Sequence, residues 1–366
     1  MKILYGVQGT GNGHISRARA MAPALAEHGL SVDYLFSGRP AERYFDMAPF
    51  GDYRLRQGLT FVVKNGRIDH LNTIKKSGFG RFVQEVRNLD VSSYDLVITD
   101  FEPVTAWAAK IAKKRCIGIS RQYAFCYDIP KVPSGIGQLL FTWYAPAQIK
   151  LGCHWDSFGE PILPPIIETN PFPRTIEHDL VLVYLPFENL TSLISVLNRL
   201  PATRFEVYHP DATEDSQCAN VKIFKPARQT FQQSMARCSG VVGNAGFELA
   251  SEAIHMGCPL LVKPLKGQVE QLSNVMNLKL LGLADSIDEV NIDAIALWLG
   301  NKKPVQVLYP DVARELASWI AHESSDQPTA TVHELTNKVW SQVAGRTIMS
   351  PVINRSTHQH IPVLQK

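Results

Sequence analysis

The stretch 239–274 constrains the fold of this 366-residue chain more than any other. A short apolar run leads into a turn of small residues at 243–246, and the helical pattern that follows ends at Gly257. A second apolar run, 260–262, comes directly after Pro259. This order of strand, turn, helix and strand predicts an α/β protein with a parallel sheet.

The turn at 243–246 is suited to binding a phosphate. Small residues let a ligand approach the backbone, and the free N–H groups and positive dipole end of the next helix face that ligand. Glu252 lies about one and a half turns into this helix, within reach of a sugar hydroxyl beside the phosphate. Glu270 and Gln271 begin a further helix with Asn274 one turn on, and such side chains can bind hydroxyls. Two ordinary turns with solvated acidic residues are the alternative interpretation.

The spacing of these residues resembles the donor-sugar motif of GT-B glycosyltransferases. Within them, the resemblance is closest to the group around the N-acetylglucosaminyltransferase that forms lipid II. The motif reads Gly246-x-x-x-x-Ser251-Glu252-x-x-x-x-Gly257-x-Pro259, followed by Glu270-Gln271-x-x-Asn274. The resemblance implies an α/β protein of the GT-B fold, in which two Rossmann-like domains with parallel sheets face each other across a cleft.

The resemblance also implies roles for the residues of the motif. Glu252 would bind the ribose hydroxyls of a nucleotide sugar. Glu270 and Gln271 would bind the sugar itself, with Asn274 beside them. The donor diphosphate would lie against the backbone of Gly243, Asn244, Ala245, Gly246 and Phe247.

Composition places the chain among globular proteins with substantial cores, because 45% of its residues are hydrophobic and 19% charged. A net charge of +3 is too small to indicate a nucleic-acid partner. The six cysteines lack CxxC spacing, which favours reduced thiols over a zinc site or a disulfide framework. No apolar run reaches the ~18 residues of a membrane span, and no signal peptide precedes the first strand. We expect a cytoplasmic protein, with peripheral contact to the inner face of the membrane left open.

Five prolines between residues 160 and 174 indicate a hinge between two domains. We predict an acceptor-binding Rossmann-like domain at 1–160 and a linker at 161–178. A nucleotide-sugar-binding Rossmann-like domain is predicted at 179–345, with a polar tail at 346–366. The resemblance further implies that the last helices cross back to the N-terminal domain.

A second glycine-rich loop, 9–14, follows the first predicted strand and opens a helix at His14. The dipole of that helix disfavours imidazolium, so His14 is expected to be neutral and able to accept a proton. A capping or packing role is the alternative. A dinucleotide site fits poorly, because the third glycine is missing and Ser37-Gly38-Arg39 stands where an acid ends strand two. A contact between Arg39 and the 2′-phosphate of a dinucleotide remains an alternative.

Asp100 ends a strongly apolar strand predicted at 94–100. Ligands bind at the carboxyl ends of parallel strands, so Asp100 is expected to face the same cleft as His14 and to orient it as a catalytic pair. Capping the helix at Pro103 is the alternative.

The loop 9–14 also resembles the glycine-rich loop of the same transferase group, in which the histidine is a proposed catalytic base. The resemblance places Gly11, Asn12 and Gly13 at the acceptor, although the lipid II enzyme has glycine where this chain has Asn12. Arg121, just past the predicted strand 116–120, is a further candidate for acceptor binding.

Two other segments allow two interpretations each. The basic residues between 64 and 81 predict a solvated face, or else a site for an anionic acceptor. The aromatic residues between 132 and 158 predict domain core, or else a membrane-facing patch.

These patterns and the resemblance together predict a cell-envelope glycosyltransferase. It would move a hexose or N-acetylhexosamine from a nucleotide sugar to a hydroxyl of a sugar or lipid-linked acceptor, and the resemblance implies UDP as the nucleotide. Inversion is expected, because a base beside the acceptor and a single displacement imply it. A site without metal or cofactor is expected, because the chain has no Asp-x-Asp pair and helix dipoles can replace a cation. The alternatives are a UDP-sugar 2-epimerase, a non-catalytic nucleotide-sugar-binding partner and, least favoured, a hydride-transferring enzyme. No oligomeric state is predicted.

Overall fold

The computed structural model describes residues 1–59, 78–133, 143–322 and 328–345, together with the short strands at 63–64 and 67–68. Part of the basic segment 64–81, the apolar residues Leu139, Leu140 and Phe141, and the tail 346–366 lie outside these residues. No helix in the described ranges has the length and apolarity needed to cross a membrane.

The N-terminal half forms a six-stranded parallel sheet with strand order β3-β2-β1-β6-β7-β8. Its strands and the small hairpin β4–β5 are β1 (Lys2–Gln8), β2 (Ser31–Ser37), β3 (Arg54–Arg56), β4 (Val63–Lys64), β5 (Arg67–Ile68), β6 (Leu96–Asp100), β7 (Cys116–Ser120) and β8 (Ile149–Gly152). Its α-helices are α1 (Asn12–Glu27), α2 (Phe79–Arg87), α3 (Pro103–Ile111) and α4 (Arg121–Ala124).

The C-terminal half forms a seven-stranded sheet with order β11-β12-β10-β9-β13-β14-β15, parallel except for β11 at one edge. Its strands are β9 (Leu180–Tyr184), β10 (Arg204–Tyr208), β11 (Ser216–Cys218), β12 (Val221–Phe224), β13 (Val241–Asn244), β14 (Leu260–Lys263) and β15 (Asp285–Ser286). Its helices are α5 (Leu190–Leu197), α6 (Arg228–Arg237), α7 (Phe247–His255), α8 (Val269–Leu280) and α9 (Ile292–Asn301). The elements that follow are β16 (Val307–Leu308), α10 (Val312–His322), α11 (Pro328–Trp340) and β17 (Ala344–Gly345).

Both sheets are buried on both faces, which explains their continuous apolar strands. In β1, Ile3 and Tyr5 pack with helix α1, whereas Leu4 points to the other face and packs with α3. In β9, Leu182 joins the same core cluster as Ile3, and Val183 faces α5 and α9. One core cluster therefore includes residues of both sheets.

The two halves also meet through the chain's last helices. Helix α10 packs against α1, and Trp340 Nε1 in α11 donates to the carbonyl of Ile162 at 2.7 Å. The two sheets are separated in sequence by residues 153–179, between the end of β8 and the start of β9. The domain limits at 160 and 178 stay predictions.

The α/β class and the parallel sheets predicted from the sequence are confirmed. The central stretch forms β13, α7 and β14 in the predicted order. Of the aromatic residues, Trp155 is fully buried in the core, while Trp143 is 47% exposed. Helix α3 is capped by Glu102, whose carboxylate accepts from Val104 N at 2.9 Å and Thr105 N at 2.6 Å. The capping alternative for Asp100 is therefore wrong.

Gly6 in β1 provides a test of how tightly α3 packs on the N-terminal sheet. A Cβ at Gly6 would lie 1.9 Å from Thr105 Oγ1, which is buried in α3. Gly6→Ala is therefore expected to lower the free energy of unfolding by about 1–3 kcal/mol, measured by urea denaturation. The control is Gly300→Ala in α9, where a Cβ meets nothing within 4 Å and a small gain is expected. Equal losses in the two variants would contradict this packing.

Candidate active site

His14 and Asp100 meet where the carboxyl ends of two neighbouring strands reach the cleft. Asp100 is the last residue of β6, which pairs with β1, and His14 lies in the first turn of α1 after β1. His14 Nδ1 is 2.7 Å from Asp100 Oδ1, and the side chains are 13% and 0% exposed. The structure thus brings the predicted pair into hydrogen-bond contact, and its catalytic role stays a prediction.

Arg17 completes this cluster, and the sequence analysis did not identify it. Its Nε donates to Asp100 Oδ2 at 2.7 Å and its Nη2 to Asp100 Oδ1 at 2.6 Å. Burial alone would raise the pKa of Asp100, but the charges and hydrogen bonds of Arg17 and His14 hold it below its ordinary value. The spacing of His14 and Arg17, three residues apart on one helix face, was the available signal.

These contacts select one tautomer of His14. Arg17 Nη2 also lies 3.1 Å from His14 Nδ1, so Nδ1 has a donor on one side and Asp100 on the other. An ionised carboxylate can only accept a hydrogen bond. The short contact with Asp100 therefore requires a proton on Nδ1 of His14, so Arg17 Nη2 does not donate to that nitrogen. In the neutral imidazole the lone pair is then on Nε2, where it is available as a base.

Glu248 connects this cluster to the C-terminal sheet, and it too was missed. It lies in the first turn of α7, is 16% exposed and pairs with Arg17 Nη1. Burial would lower the pKa of Arg17, but Asp100 and Glu248 raise it well above its ordinary value. A Cβ at Gly13 would lie 2.6 Å from Glu248 Oε2, so the absent side chain allows α1 and α7 to approach. Acids are common in the first turn of helices, which is why the sequence pattern did not single out Glu248.

The turn before α7 lies where the sequence predicted it. Gly243 and Asn244 end β13, and Gly246 precedes the helix without a side-chain cap. The amide of Asn244 donates to the carbonyl of Lys263 at 3.1 Å, which fixes the turn against β14. The backbone N–H groups of the first turn of α7, which begins at Phe247, are therefore left to a ligand or to water.

Glu252 is partly buried in α7, one turn beyond Glu248. Burial, together with the charges of Glu168 and Glu248, raises its pKa to about 8. No hydrogen bond joins its carboxylate to another residue in the part of the chain that the structure describes. Arg228 stands near but is paired with Glu168. A carboxylate in this setting is available to hydroxyl donors.

The three predicted donor-sugar residues of α8 differ in their partners. Glu270 accepts from Gln122 Nε2 at 2.9 Å. Gln271 instead accepts from the backbone N–H of Leu265 at 2.9 Å. Asn274 Nδ2 donates to the carbonyl of Ala245 at 2.9 Å. Gln271 and Asn274 therefore hold backbone in place, and Glu270 reaches across to the N-terminal half.

Asn274 also accepts from Arg121 Nε at 3.0 Å, so this predicted acceptor residue lies against a predicted donor residue. Arg121 is 1% exposed. Its contacts therefore place it beside the donor-sugar residues.

The loop at Gly11, Asn12 and Gly13 also spans the cleft. Asn12 Nδ2 donates to Tyr184 OH, in β9, at 3.0 Å, and its Oδ1 accepts from Arg39 Nη2 at 2.9 Å. Arg39 is thus engaged in holding this loop, which disfavours the 2′-phosphate alternative. Among the described residues, no group of three or more His, Cys, Asp and Glu side chains could hold a metal ion.

A sequence profile described as glycosyl transferase family 1 matches this chain over residues 1–134 and 129–301. These matches include both His14 and the turn at 243–246, so the family covers the two parts of the cleft. The search of curated proteins finds no match.

Solved glycosyltransferases share the whole architecture. The glycotransferase of kitacinnamycin superposes with a TM-score of 0.55 and 14% identity, over 93% of this chain and 95% of that one. The spinosyn rhamnosyltransferase SpnG, solved with spinosyn aglycone, has a TM-score of 0.55 and 12% identity, over 93% of this chain and 97% of that one. MurG of Acinetobacter baumannii has a TM-score of 0.48 and 15% identity, over 92% of this chain and 99% of that one. Such identities show the fold alone, so the finer resemblance to the lipid II-forming group stays a prediction.

The two parallel sheets and these superpositions confirm the GT-B fold. The family match favours a transferase over a non-catalytic binding partner or a hydride-transferring enzyme. The chain belongs to glycosyl transferase family 1 and is a glycosyltransferase of the GT-B fold.

Proposed function

We propose that this enzyme transfers a hexosyl or N-acetylhexosaminyl group from a UDP-sugar to a hydroxyl of a sugar or lipid-linked acceptor, with inversion and without a metal or cofactor. One observation carries the proposal. Arg17 contacts Asp100 beside His14 on one side and Glu248 in the first turn of α7 on the other. A proton acceptor and an anion-binding helix terminus therefore lie on opposite sides of one arginine.

The proposed reaction is a single displacement. His14 Nε2 takes the proton of the acceptor hydroxyl while that oxygen bonds to the anomeric carbon. The bond between this carbon and the diphosphate oxygen breaks, and its electron pair leaves with the nucleoside diphosphate. Asp100 stabilises the imidazolium that forms, since its carboxylate accepts from Nδ1. Attack opposite the leaving group inverts the anomeric centre.

The leaving diphosphate would be stabilised by the N–H groups of the first turn of α7, from Phe247 onward, and by the dipole of that helix. The N–H groups of Ala245 and Gly246, which the sequence also predicted as donors, are taken up by the carbonyls of Lys263 and Asn244. Glu248 brings a negative charge to the same turn, and its pairing with Arg17 offsets that charge. Glu252 would accept from the ribose hydroxyls, and Glu270 from hydroxyls of the sugar. The acceptor would enter at the loop 11–13, and a lipid-linked acceptor would bring the enzyme to the cytoplasmic face of a membrane.

The raised pKa of Glu252 makes this donor site testable by pH. The ionised carboxylate accepts hydroxyl hydrogen bonds through both oxygens and more strongly than the protonated acid, so we expect donor affinity to rise between pH 6.5 and 9 in the wild type. Glu252→Gln is expected to bind like the wild type at pH 6.5 and to show no such rise. Since the folded pKa of about 8 exceeds the unfolded value of about 4.3, the wild type loses stability as pH rises from the unfolded to the folded value and loses no more above it. The variant should therefore be the more stable protein above pH 8.

A thermal-shift screen with UDP-, GDP-, dTDP- and CMP-sugars measures both the pH dependence of donor binding and that of folding stability. Saturating donor should stabilise the wild type by about 2–4 kcal/mol. The control Glu289→Gln changes an exposed carboxylate paired with Lys266 and should leave the pH dependence of donor binding unaltered. A shift with a nicotinamide cofactor and with no nucleotide sugar would refute the proposal. Conversion of the sugar without any acceptor would favour the 2-epimerase.

A further inference from the structure

Arg121 has a buried guanidinium that is only partly satisfied. It begins α4, directly after β7, and its side chain is 1% exposed. Its Nε donates to Asn274 Oδ1 at 3.0 Å. Its Nη1 and Nη2 are buried and have no hydrogen-bond partner among the described residues. Two adjacent amino groups of a cation are thus left without an acceptor.

Aromatic rings surround the guanidinium of Arg121, and among the described residues no carboxylate forms an ion pair with it. The guanidinium lies 4.4 Å from the centre of the Phe125 ring, 5.5 Å from that of Phe247 and 6.0 Å from that of Trp155. Burial lowers the pKa of Arg121 to about 10, so the group is still charged at neutral pH. A buried charge is costly unless it is paired and hydrogen-bonded. The buried charge of Arg121 therefore lacks a counter-ion, and an anion from outside the chain would provide one.

Glu270 is the acid whose charge acts most strongly on Arg121, and it does not serve as the counter-ion. Its carboxylate is held by Gln122 at 2.9 Å. Burial also raises the pKa of Glu270, which favours its neutral form. The two amino groups of Arg121 thus stay free for a ligand.

The position of Arg121 indicates which part of a substrate it meets. Arg121 and Gln122 are consecutive in α4, and they contact Asn274 and Glu270 of α8. Glu270 belongs to the proposed sugar site, whereas the diphosphate has its own N–H donors in the first turn of α7, which begins at Phe247. Because the diphosphate already has these donors, the free amino groups of Arg121 are assigned to the sugar part of the donor, although the guanidinium lies 5.5 Å from the Phe247 ring as well.

We propose that the donor sugar is a uronic acid and that Arg121 binds its carboxylate through Nη1 and Nη2. Two parallel N–H groups of one guanidinium match the two oxygens of a carboxylate. A neutral hexose offers these groups only hydroxyl oxygens and leaves the guanidinium without a counter-ion. The proposal rests on the proposed function, because it places a nucleotide sugar in this cleft. It assigns Arg121 to the donor in place of the acceptor contact predicted from the sequence.

Calorimetric binding of matched donor pairs tests this assignment. The pairs are UDP-glucuronate with UDP-glucose and GDP-mannuronate with GDP-mannose, and UDP and GDP alone serve as references. The wild type should bind the uronate of a pair at least about tenfold more tightly, because one charge-assisted contact is worth that much or more. Arg121→Gln, which keeps a donor for Asn274, should abolish the preference and leave affinity for the bare nucleotide within about twofold.

Three outcomes decide the matter. Equal wild-type affinities within a pair would overturn the uronate assignment, and this arm needs no variant that folds. An equal loss of bare nucleotide affinity in Arg121→Gln would overturn it too, because the arginine would then bind the diphosphate. If neither nucleotide nor nucleotide sugar binds, the proposed function fails, and this inference falls with it. Arg204→Gln, at an exposed ion pair with Asp179, is the matched control and should leave every affinity unchanged.

Discussion

Replacing His14 with alanine is expected to lower kcat by about 10²–10⁴-fold, the usual contribution of a general base. Asp100 holds His14 through Nδ1 at 2.7 Å, so Nε2 is the nitrogen left to take the acceptor proton. The donor is bound mainly by α7 and α8 in the proposed site, so its Kd should change by no more than about twofold. Steady-state release of nucleoside diphosphate measures kcat, and calorimetry measures the Kd.

A matched control lies at the other end of the same helix. His28 caps the C-terminal end of α1, and its Nδ1 is 2.9 Å from the carbonyl of Ala24. His28→Ala should therefore leave kcat near the wild-type value. Asp100→Asn should reduce kcat strongly, because the charge that stabilises imidazolium is lost. If His14→Ala retains most of the wild-type kcat, the base lies elsewhere and the proposed mechanism is wrong.

Local sequence patterns were sufficient to predict the elements around the cleft. The stretch 239–274 has apolar runs of strand length, small residues at its turn and a Gly–Pro stop, and each of these acts over a few residues. The structure accordingly has β13, α7 and β14 there. The meeting of His14 with Asp100 was also predictable, because both follow strands whose carboxyl ends share one edge of a parallel sheet.

The partners of single side chains were not predictable in this way. Arg17 and Glu248 are 231 positions apart and meet only because the two halves pack together. Gln271 resembles a sugar ligand in sequence, yet its carbonyl oxygen accepts from the backbone of Leu265. A pattern of residue types contains no information on which long-range acceptor or donor will saturate a side chain. The structure therefore adds Arg17 and Glu248 to the candidate site and gives Gln271 and Asn274 a role in holding backbone.

Arg17→Met is expected to lower the free energy of unfolding by about 3–5 kcal/mol at pH 7, because it removes the guanidinium that pairs with the buried charge of Asp100 and leaves only the hydrogen bond from His14. Urea denaturation measures this loss. The pH dependence has a definite sign. Asp100 has a folded pKa below its ordinary value, so its ion pair stabilises the fold above the unfolded pKa of about 3.9. This contribution is lost as pH falls through the folded pKa, and the two proteins should converge in acid.

The matched control is Arg204→Met, the same change at an arginine that is 48% exposed and paired with Asp179, which is 51% exposed. Exposed ion pairs contribute about 0–1 kcal/mol, so its loss should be small. Adding Asp100→Asn to Arg17→Met should restore part of the stability, since the unpaired charge is then gone. A loss in Arg17→Met no larger than in Arg204→Met would mean that Asp100 is not ionised. In that case Asp100 would not stabilise the imidazolium of His14, and the proposed catalytic pair would lose its electrostatic basis.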